Sequence, residues 1–269
     1  MDSHPSKSDI IQNTNRSFLS VLVDNLKSLG RKNYLHRLIY IFEYTATNVD
    51  FSIHEILSDM IRKINESYSD EPLTGIFLYY QHYGINMIEG SEEIIFKHIQ
   101  EFVSDEYISN NVGRIKILLA VSHIKQRFFN QWLYFTGQPH KLYEKIDSTN
   151  CSVEETSKQL KIVLSKMFDL WTYLHMHPMT LDRLITIGQL LDITITSHLP
   201  EPSRLEFLLT TPALENLEDF VISKQTVHQP ASYQDLVWPK QSEYIPYNIL
   251  KNKLARSSKE LYLSGSNIE

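Results

Sequence analysis

The sequence predicts an α+β protein of the ferredoxin-like class, a β-α-β-β-α-β(-β) sandwich with a flanking N-terminal helix and C-terminal helices. Between residues 34 and 135, segments rich in β-branched and aromatic residues alternate with two amphipathic segments, in the order strand, helix, two strands, helix, two strands. That order is typical of a mostly antiparallel sheet covered on one face by two helices. With 269 residues, of which 42% are hydrophobic, the chain can form a substantial core.

The elements of the N-terminal part follow from apolar spacing and from residues that begin or end them. A helix is predicted from about Asp9 to Leu29, with Gly30 as its stop signal, and a strand over Tyr34–Phe42. A second helix begins at Ser52, whose hydroxyl can accept a backbone N–H, and it ends before Pro72, which cannot continue a helix.

A β-hairpin and a further helix come next. Gly75–Tyr80 and Gly84–Ile88 are the hairpin strands, and Ser91 then caps a helix whose first turn carries two glutamates at the positive end of the helix dipole. Two more strands are predicted at Arg114–Ser122 and Arg127–Phe135.

The composition changes after this core. The regions predicted along the chain are an N-terminal helical extension (1–33), the ferredoxin-like domain (34–138), a polar linker (139–157), a helical C-terminal region (158–222) and an extended arm (223–269). The arm carries Trp238, Tyr244 and Tyr247, which are candidate partner-binding residues because a few buried aromatic side chains provide most of the binding energy of an interface. An equally good interpretation is that they pack on the protein's own core.

Charge and composition limit the possible functions. A net charge of −6 without a basic stripe disfavours nucleic-acid binding. A single cysteine and a polar N-terminus without a signal-peptide pattern predict a soluble protein of the cytoplasm. No glycine-rich phosphate loop and no metal-ligand motif is present, so the sequence predicts neither an enzyme nor a metal site.

Four short motifs resemble those of the blue-light-using flavin (BLUF) domain. They are LHRLIYIF, LTGIFLYY, GINMIEG and RFFNQW, and they occur in the BLUF order over roughly residues 34–136. The whole chain, with helices on both sides of this core, resembles the testis-expressed protein 47 family, the BLUF-like family of sperm and cilia. This second resemblance implies a place in the axoneme of a motile cilium or sperm flagellum, among other axonemal proteins.

The BLUF resemblance also indicates where a flavin would bind. The photoactive tyrosine corresponds to Tyr40 and the tryptophan of the fifth strand to Trp132. The bridging glutamine is replaced by Asn86, which is one methylene shorter, the flavin-fixing asparagine by Tyr68, and a methionine by Tyr134. The resemblance therefore implies a scaffold that has kept its framework and lost the polar residues that select FAD.

Three functional hypotheses follow. The first is a non-catalytic structural and interaction protein without a cofactor. The alternative is a flavin-binding sensor of blue light or redox state that uses Tyr40 and Trp132. A hydrolase of the acylphosphatase type is disfavoured, because the loop after Tyr40 reads IFEYTATNVD and offers no arginine for an anion.

Overall fold

The computed structural model describes residues 17–45, 53–67, 71–80, 82–140, 142, 146, 151–178, 185, 189–190 and 193–225. Tyr68 and the predicted arm with Trp238, Tyr244 and Tyr247 lie outside the described residues. Within the described part, no helix combines the length and the apolar character needed to cross a lipid bilayer.

A single mixed sheet organises the protein. Its strands, in spatial order, are β4 (Val112–Ile124), β1 (Leu35–Tyr44), β3 (Tyr83–Gly90), β2 (Thr74–Tyr79), β5 (Trp132–Gly137) and β6 (Gln189–Leu190). Each neighbouring pair from β4 through β1 and β3 to β2 is antiparallel, whereas β5 is parallel to β2 and to β6. The order 4-1-3-2 with helices after β1 and β3 is that of the ferredoxin-like fold, so the predicted fold class is confirmed.

Several helices begin where a serine or aspartate side chain satisfies one of the first backbone N–H groups. Ser17, Ser91 and Ser152 each accept a hydrogen bond from the backbone N–H three residues later. The helices are α1 (Phe18–Ser28), α2 (Ile53–Ser67), α3 (Glu92–Ser104), α4 (Glu106–Asn111), α5 (Val153–Met176), α6 (Ile193–Ser197), α7 (Pro202–Thr210) and α8 (Leu217–Gln225).

Both faces of the sheet are covered by helices, whereas the sequence predicts two helices on one face and gives no position for the C-terminal helices. Alternate residues of β1 divide between two hydrophobic clusters. Leu38, Tyr40 and Phe42 pack under α2, α3 and α8, and we call this side the first face. Ile39 and Ile41 pack under α5 and α7, on the second face. The C-terminal helices therefore share the core of the sheet, because without them its second face would be an exposed apolar surface.

A buried ion pair explains why β5 begins later than predicted. The Arg37 guanidinium donates two hydrogen bonds to Glu89 Oε1, at 2.7 and 2.5 Å, and lies over the Phe128 ring. Glu89 also accepts the Phe128 backbone N–H at 2.9 Å, and Arg127 donates to the Glu89 carbonyl oxygen at 2.7 Å. These contacts hold the chain in an irregular loop, so the strand starts at Trp132 instead of Arg127.

Other boundaries also differ from the prediction. Helix α5 begins at Val153, inside the stretch 139–157 predicted as a linker, because Ser152 caps it. Helices α4 and α7 are too short to show a clear apolar period, and the sequence does not predict them.

Gly75 allows β2 and β3 to pair closely. Its φ is +148°, and a Cβ there would lie 1.9 Å from the Met87 carbonyl oxygen. Only glycine fits this position without moving the backbone of β3.

Candidate functional site

The sheet register aligns most of the predicted flavin-site positions in one row. Tyr40 is opposite Asn86, Asn86 is opposite Phe77, and Phe77 is opposite Tyr134. Directly opposite residues point to the same side of a sheet, so this row lies on the first face, where α2 and α3 pack. Trp132 precedes Tyr134 by two residues on β5 and shares that face.

A chain of hydrogen bonds joins these side chains. The Trp132 indole N–H meets Asn86 Oδ1 at 3.3 Å, and Asn86 Nδ2 meets the Tyr40 hydroxyl at 2.8 Å. The Tyr40 hydroxyl in turn lies 2.9 Å from Nε2 of His98. Although Asn86 is one methylene shorter than the glutamine of BLUF domains, it still reaches the tyrosine.

The hydrogen bonds between these side chains all run in one donor-to-acceptor direction. An indole N–H can only donate, so the oxygen of Asn86 faces Trp132 and its NH₂ group faces Tyr40. The Tyr40 oxygen accepts from Asn86, and its own proton is donated to Nε2 of His98. This direction assigns the His98 proton to Nδ1, for which the described residues provide no hydrogen-bond partner.

His98 is the site residue that the sequence analysis missed. It is fully buried on α3, and burial lowers its pKa to about 3, so the ring is neutral at pH 7. Burial likewise raises the pKa of Tyr40 well above its usual value. The helical spacing could have identified His98 as a buried residue, because it lies four residues after Ile94 and four before Phe102 on the buried side of α3.

Aromatic rings fill the space around this chain. Phe77 is stacked between two rings, with centroids 6.1 Å from Trp132 and 5.8 Å from Phe42. Phe102 packs edge-on against Tyr40 at 5.2 Å. Apart from the half-buried Trp132, these side chains are fully buried. The polar chain is thus enclosed by rings that belong to the protein itself.

The row opens to solvent at its β5 end. Tyr134 is 39% exposed, and its ring stacks on His54 of α2 with centroids 4.4 Å apart. Partial burial lowers the pKa of His54. Tyr134 is therefore the member of the row that is most accessible from outside.

The polar groups of this row are paired with other side chains of the protein. Both polar ends of the Asn86 amide already meet protein groups, and the Tyr40 hydroxyl has two side-chain partners. A cavity of about 680 Å³ does lie on the first face, but other residues line it, among them His36, Leu38 and Ile95. It does not border Tyr40, Asn86 or Trp132.

The strand order and the row on the first face define the class of protein, a ferredoxin-like domain that carries the BLUF side-chain pattern in altered form. The family model described as "Testis-expressed protein 47" matches residues 34–223. The chain belongs to that family.

Several solved structures, among them a BLUF protein, are similar to this chain. The "BlrP1 BLUF" structure is 18% identical, with 38% of this chain and 64% of that chain covered and a TM-score of 0.31. Klebsiella pneumoniae BlrP1 with FMN and cyclic diGMP is 17% identical, with coverages of 52% and 34% and a TM-score of 0.33. A bacterial light-regulated adenylyl cyclase is 22% identical, with coverages of 58% and 40% and a TM-score of 0.32. The match spans less than two thirds of each of these three chains.

Proposed function

We propose that this protein is a non-catalytic structural and interaction protein whose BLUF-like domain has lost its flavin site. The observation that carries the proposal is the series of hydrogen bonds that runs from Trp132 through Asn86 and Tyr40 to His98. In it, polar groups that would otherwise meet a ligand satisfy one another inside the core.

The energetics of burial support this proposal. An unpaired buried polar group costs about 1–3 kcal/mol. A flavin entering between Tyr40 and Trp132 would break at least one bond of the chain and displace the Phe77 ring, which packs against both Trp132 and Phe42. The side chains around Tyr40 thus favour a filled core over a ligand site.

We place the protein in the axoneme of a motile cilium or sperm flagellum, with other axonemal proteins as its partners. The support is the family to which the chain belongs, which is named for expression in testis. A modest net charge of −6 also suits a protein that binds other proteins better than one that binds nucleic acid.

The absence of flavin is tested with the purified full chain. We expect a colourless protein that stays colourless after incubation with FAD and gel filtration. Asn86→Gln, which restores the length of the bridging amide, is the matched variant and should also remain colourless, because the rings around Tyr40 still fill the site. Flavin absorbance in the wild-type protein, with a red shift under blue light, would refute the proposal.

The location is tested separately by proximity labelling with the tagged chain in cells that bear motile cilia. We expect axonemal proteins among the labelled neighbours, and a tag that labels only the soluble cytoplasm would contradict the axonemal assignment.

One observation favours the flavin sensor as a second candidate. Tyr40 and Trp132 are both present, and the side-chain amide of Asn86 contacts both, as a photoactive site would require. The absorption spectrum of the purified protein after incubation with FAD decides between the structural protein and the flavin sensor.

A further inference from the structure

The cavity on the first face is a cleft over strands β1 and β4, and neither Tyr40 nor Asn86 lines it. Helix α3 forms one wall of the cleft and helix α8 the other, through Phe96 and Phe220. Its volume of about 680 Å³ falls within the range of small-molecule sites, which is roughly 300–1,000 Å³. A concave site of this size, between two helices and a sheet, can surround most of a small ligand.

The floor of the cleft is apolar. Leu38 of β1 and Ala120 of β4 are opposite each other in the sheet, so both point to the first face. Ile95 and Ile99 of α3 complete this part of the lining. Leu38, Ile95 and Ile99 are at most 7% exposed, so the floor is part of the packed core. The part of a ligand that contacts the floor is therefore apolar.

The charged residues of the cleft include two cations that already have partners. The Arg37 guanidinium pairs with Glu89 and lies over the Phe128 ring, on the side of the sheet away from the cleft. At the rim, Lys224 Nζ lies 3.3 Å from Glu92 Oε1. These two ion pairs contribute no net charge.

Glu93 leaves the rim with an excess of negative charge. It is exposed in the first turn of α3 and forms no ion pair within the part of the chain that the structure describes. Burial lowers the pKa of His36, which also lines the cleft, so its imidazole adds no positive charge at pH 7. The positive end of α3 and the negative end of α8 both border the cleft, so the helix dipoles nearly cancel there. With histidines counted as neutral, the rim carries one net negative charge.

We propose that this cleft binds a small organic cation, an ammonium group carried on an apolar body. The body lies on Leu38, Ile95 and Ile99, and the ammonium group lies at the rim beside Glu93. The ring of Tyr34 also borders the cleft and can contact the cation through its face. Walls on two sides suit a compact free molecule better than an extended chain. The inference goes beyond the proposed structural function and does not depend on it.

The test uses the purified full chain, labelled with carbon-13 at the isoleucine δ1 methyl groups, and three probes that share one apolar body. The probes are phenylpropylamine, phenylpropanol and phenylpropionate, whose heads are cationic, neutral and anionic. The methyl signals of Ile95 and Ile99 report binding in the cleft, and that of Ile76, on the second face, is the internal control.

We expect all three probes to shift the signals of Ile95 and Ile99, with Kd values on the order of millimolar for molecules of about ten non-hydrogen atoms. At low salt the amine should bind at least about threefold more tightly than the propionate, because one exposed charge makes a modest contribution. The difference should shrink in about 0.5 M NaCl, which screens the rim charge.

Two variants separate the rim from the floor. Glu93→Gln should bring the affinities of amine and propionate to within about twofold of each other. Glu154→Gln is its matched control and should keep the wild-type preference, because Glu154 is likewise the second residue of a serine-capped helix but lies outside the cleft. Ala120→Trp should weaken all three probes at least about tenfold, because the indole occupies the floor. An unchanged Ile76 signal verifies that each variant is folded.

Several results would overturn the inference. They are the absence of any shift at Ile95 and Ile99 with the probes at about 10 mM, equal or tighter binding of the propionate, and unchanged binding by Ala120→Trp. A preference for the amine that survives Glu93→Gln would also overturn it. N-acetyl-lysine methylamide should bind more weakly than the amine; equal binding would identify a lysine side chain of a partner as the occupant. If Ala120→Trp does not fold, the ranking of the probes and Glu93→Gln still decide the question.

Discussion

Replacing Tyr40 by phenylalanine tests whether the polar chain is part of the structural core. The substitution keeps the ring and its packing against Phe102 but removes the hydroxyl that joins Asn86 to His98. Two fully buried groups lose their partner, the Asn86 N–H and the His98 ring nitrogen. At about 1–3 kcal/mol for each unsatisfied group, the free energy of unfolding should fall by roughly 3 kcal/mol.

Urea denaturation followed by far-ultraviolet circular dichroism measures this change. Tyr134→Phe is the matched control, because it removes the hydroxyl of the exposed tyrosine in the same row and should change stability by less than about 0.5 kcal/mol. The double variant Tyr40→Phe/His98→Leu removes one of the two unpaired groups. We expect it to recover about 1 kcal/mol relative to Tyr40→Phe alone.

Two results would refute this reasoning. If Tyr40→Phe were no more destabilising than Tyr134→Phe, the Tyr40 hydroxyl would not be a required partner in the core. If the double variant were destabilised by the full sum of the two single changes, His98 would stabilise the protein independently of Tyr40.

Three further predictions concern other buried features and use the same denaturation assay. Glu89→Gln leaves its buried arginine partner without a counter-charge and should cost roughly 3 kcal/mol, whereas the exposed Glu93→Gln should be neutral; equal effects would contradict the buried ion pair. Because the pKa of His98 is lowered to about 3, only the unfolded state binds a proton between pH 6.5 and that value. Stability should fall by about 2 kcal/mol more in the wild type than in His98→Leu between pH 7 and 5, and parallel pH profiles would disprove this. Gly75→Ala should cost about 3 kcal/mol or more by collision with β3, against about 1 kcal/mol for Gly30→Ala, whose Cβ meets open space; a reversed order would disprove the collision.

The elements with a strong apolar period were predictable from the sequence. The alternation over Tyr34–Phe42 and the helical spacing from Ile53 onward place β1 and α2 within two or three residues of their observed limits. The loop before β5 was not predictable in this way, because RFFNQW has a strand-like composition. Its irregular shape comes from the contacts of Arg127 and Phe128 with Glu89, which is distant in the chain.

The candidate site, too, was predictable from the sequence only in part. Motif spacing located Tyr40, Asn86 and Trp132 as members of one site, and the sheet register places them together. Motif spacing did not reveal that these three side chains form hydrogen bonds with one another, nor that His98 is the last member of the series. Tyr40 is 46 residues from Asn86 and 58 from His98, so these bonds depend on how β3 and α3 dock on β1.

The sequence by itself determined the strand and helix order and the apolar faces, because periods of 2 and 3.6 residues are properties of local chain geometry. Only the tertiary structure decided that the second face of the sheet is covered by α5 and α7, and that the Asn86 amide forms hydrogen bonds with both Trp132 and Tyr40. The physical reason is that hydrogen-bond satisfaction and filled volume depend on which distant segments meet, and local periodicity does not specify those meetings.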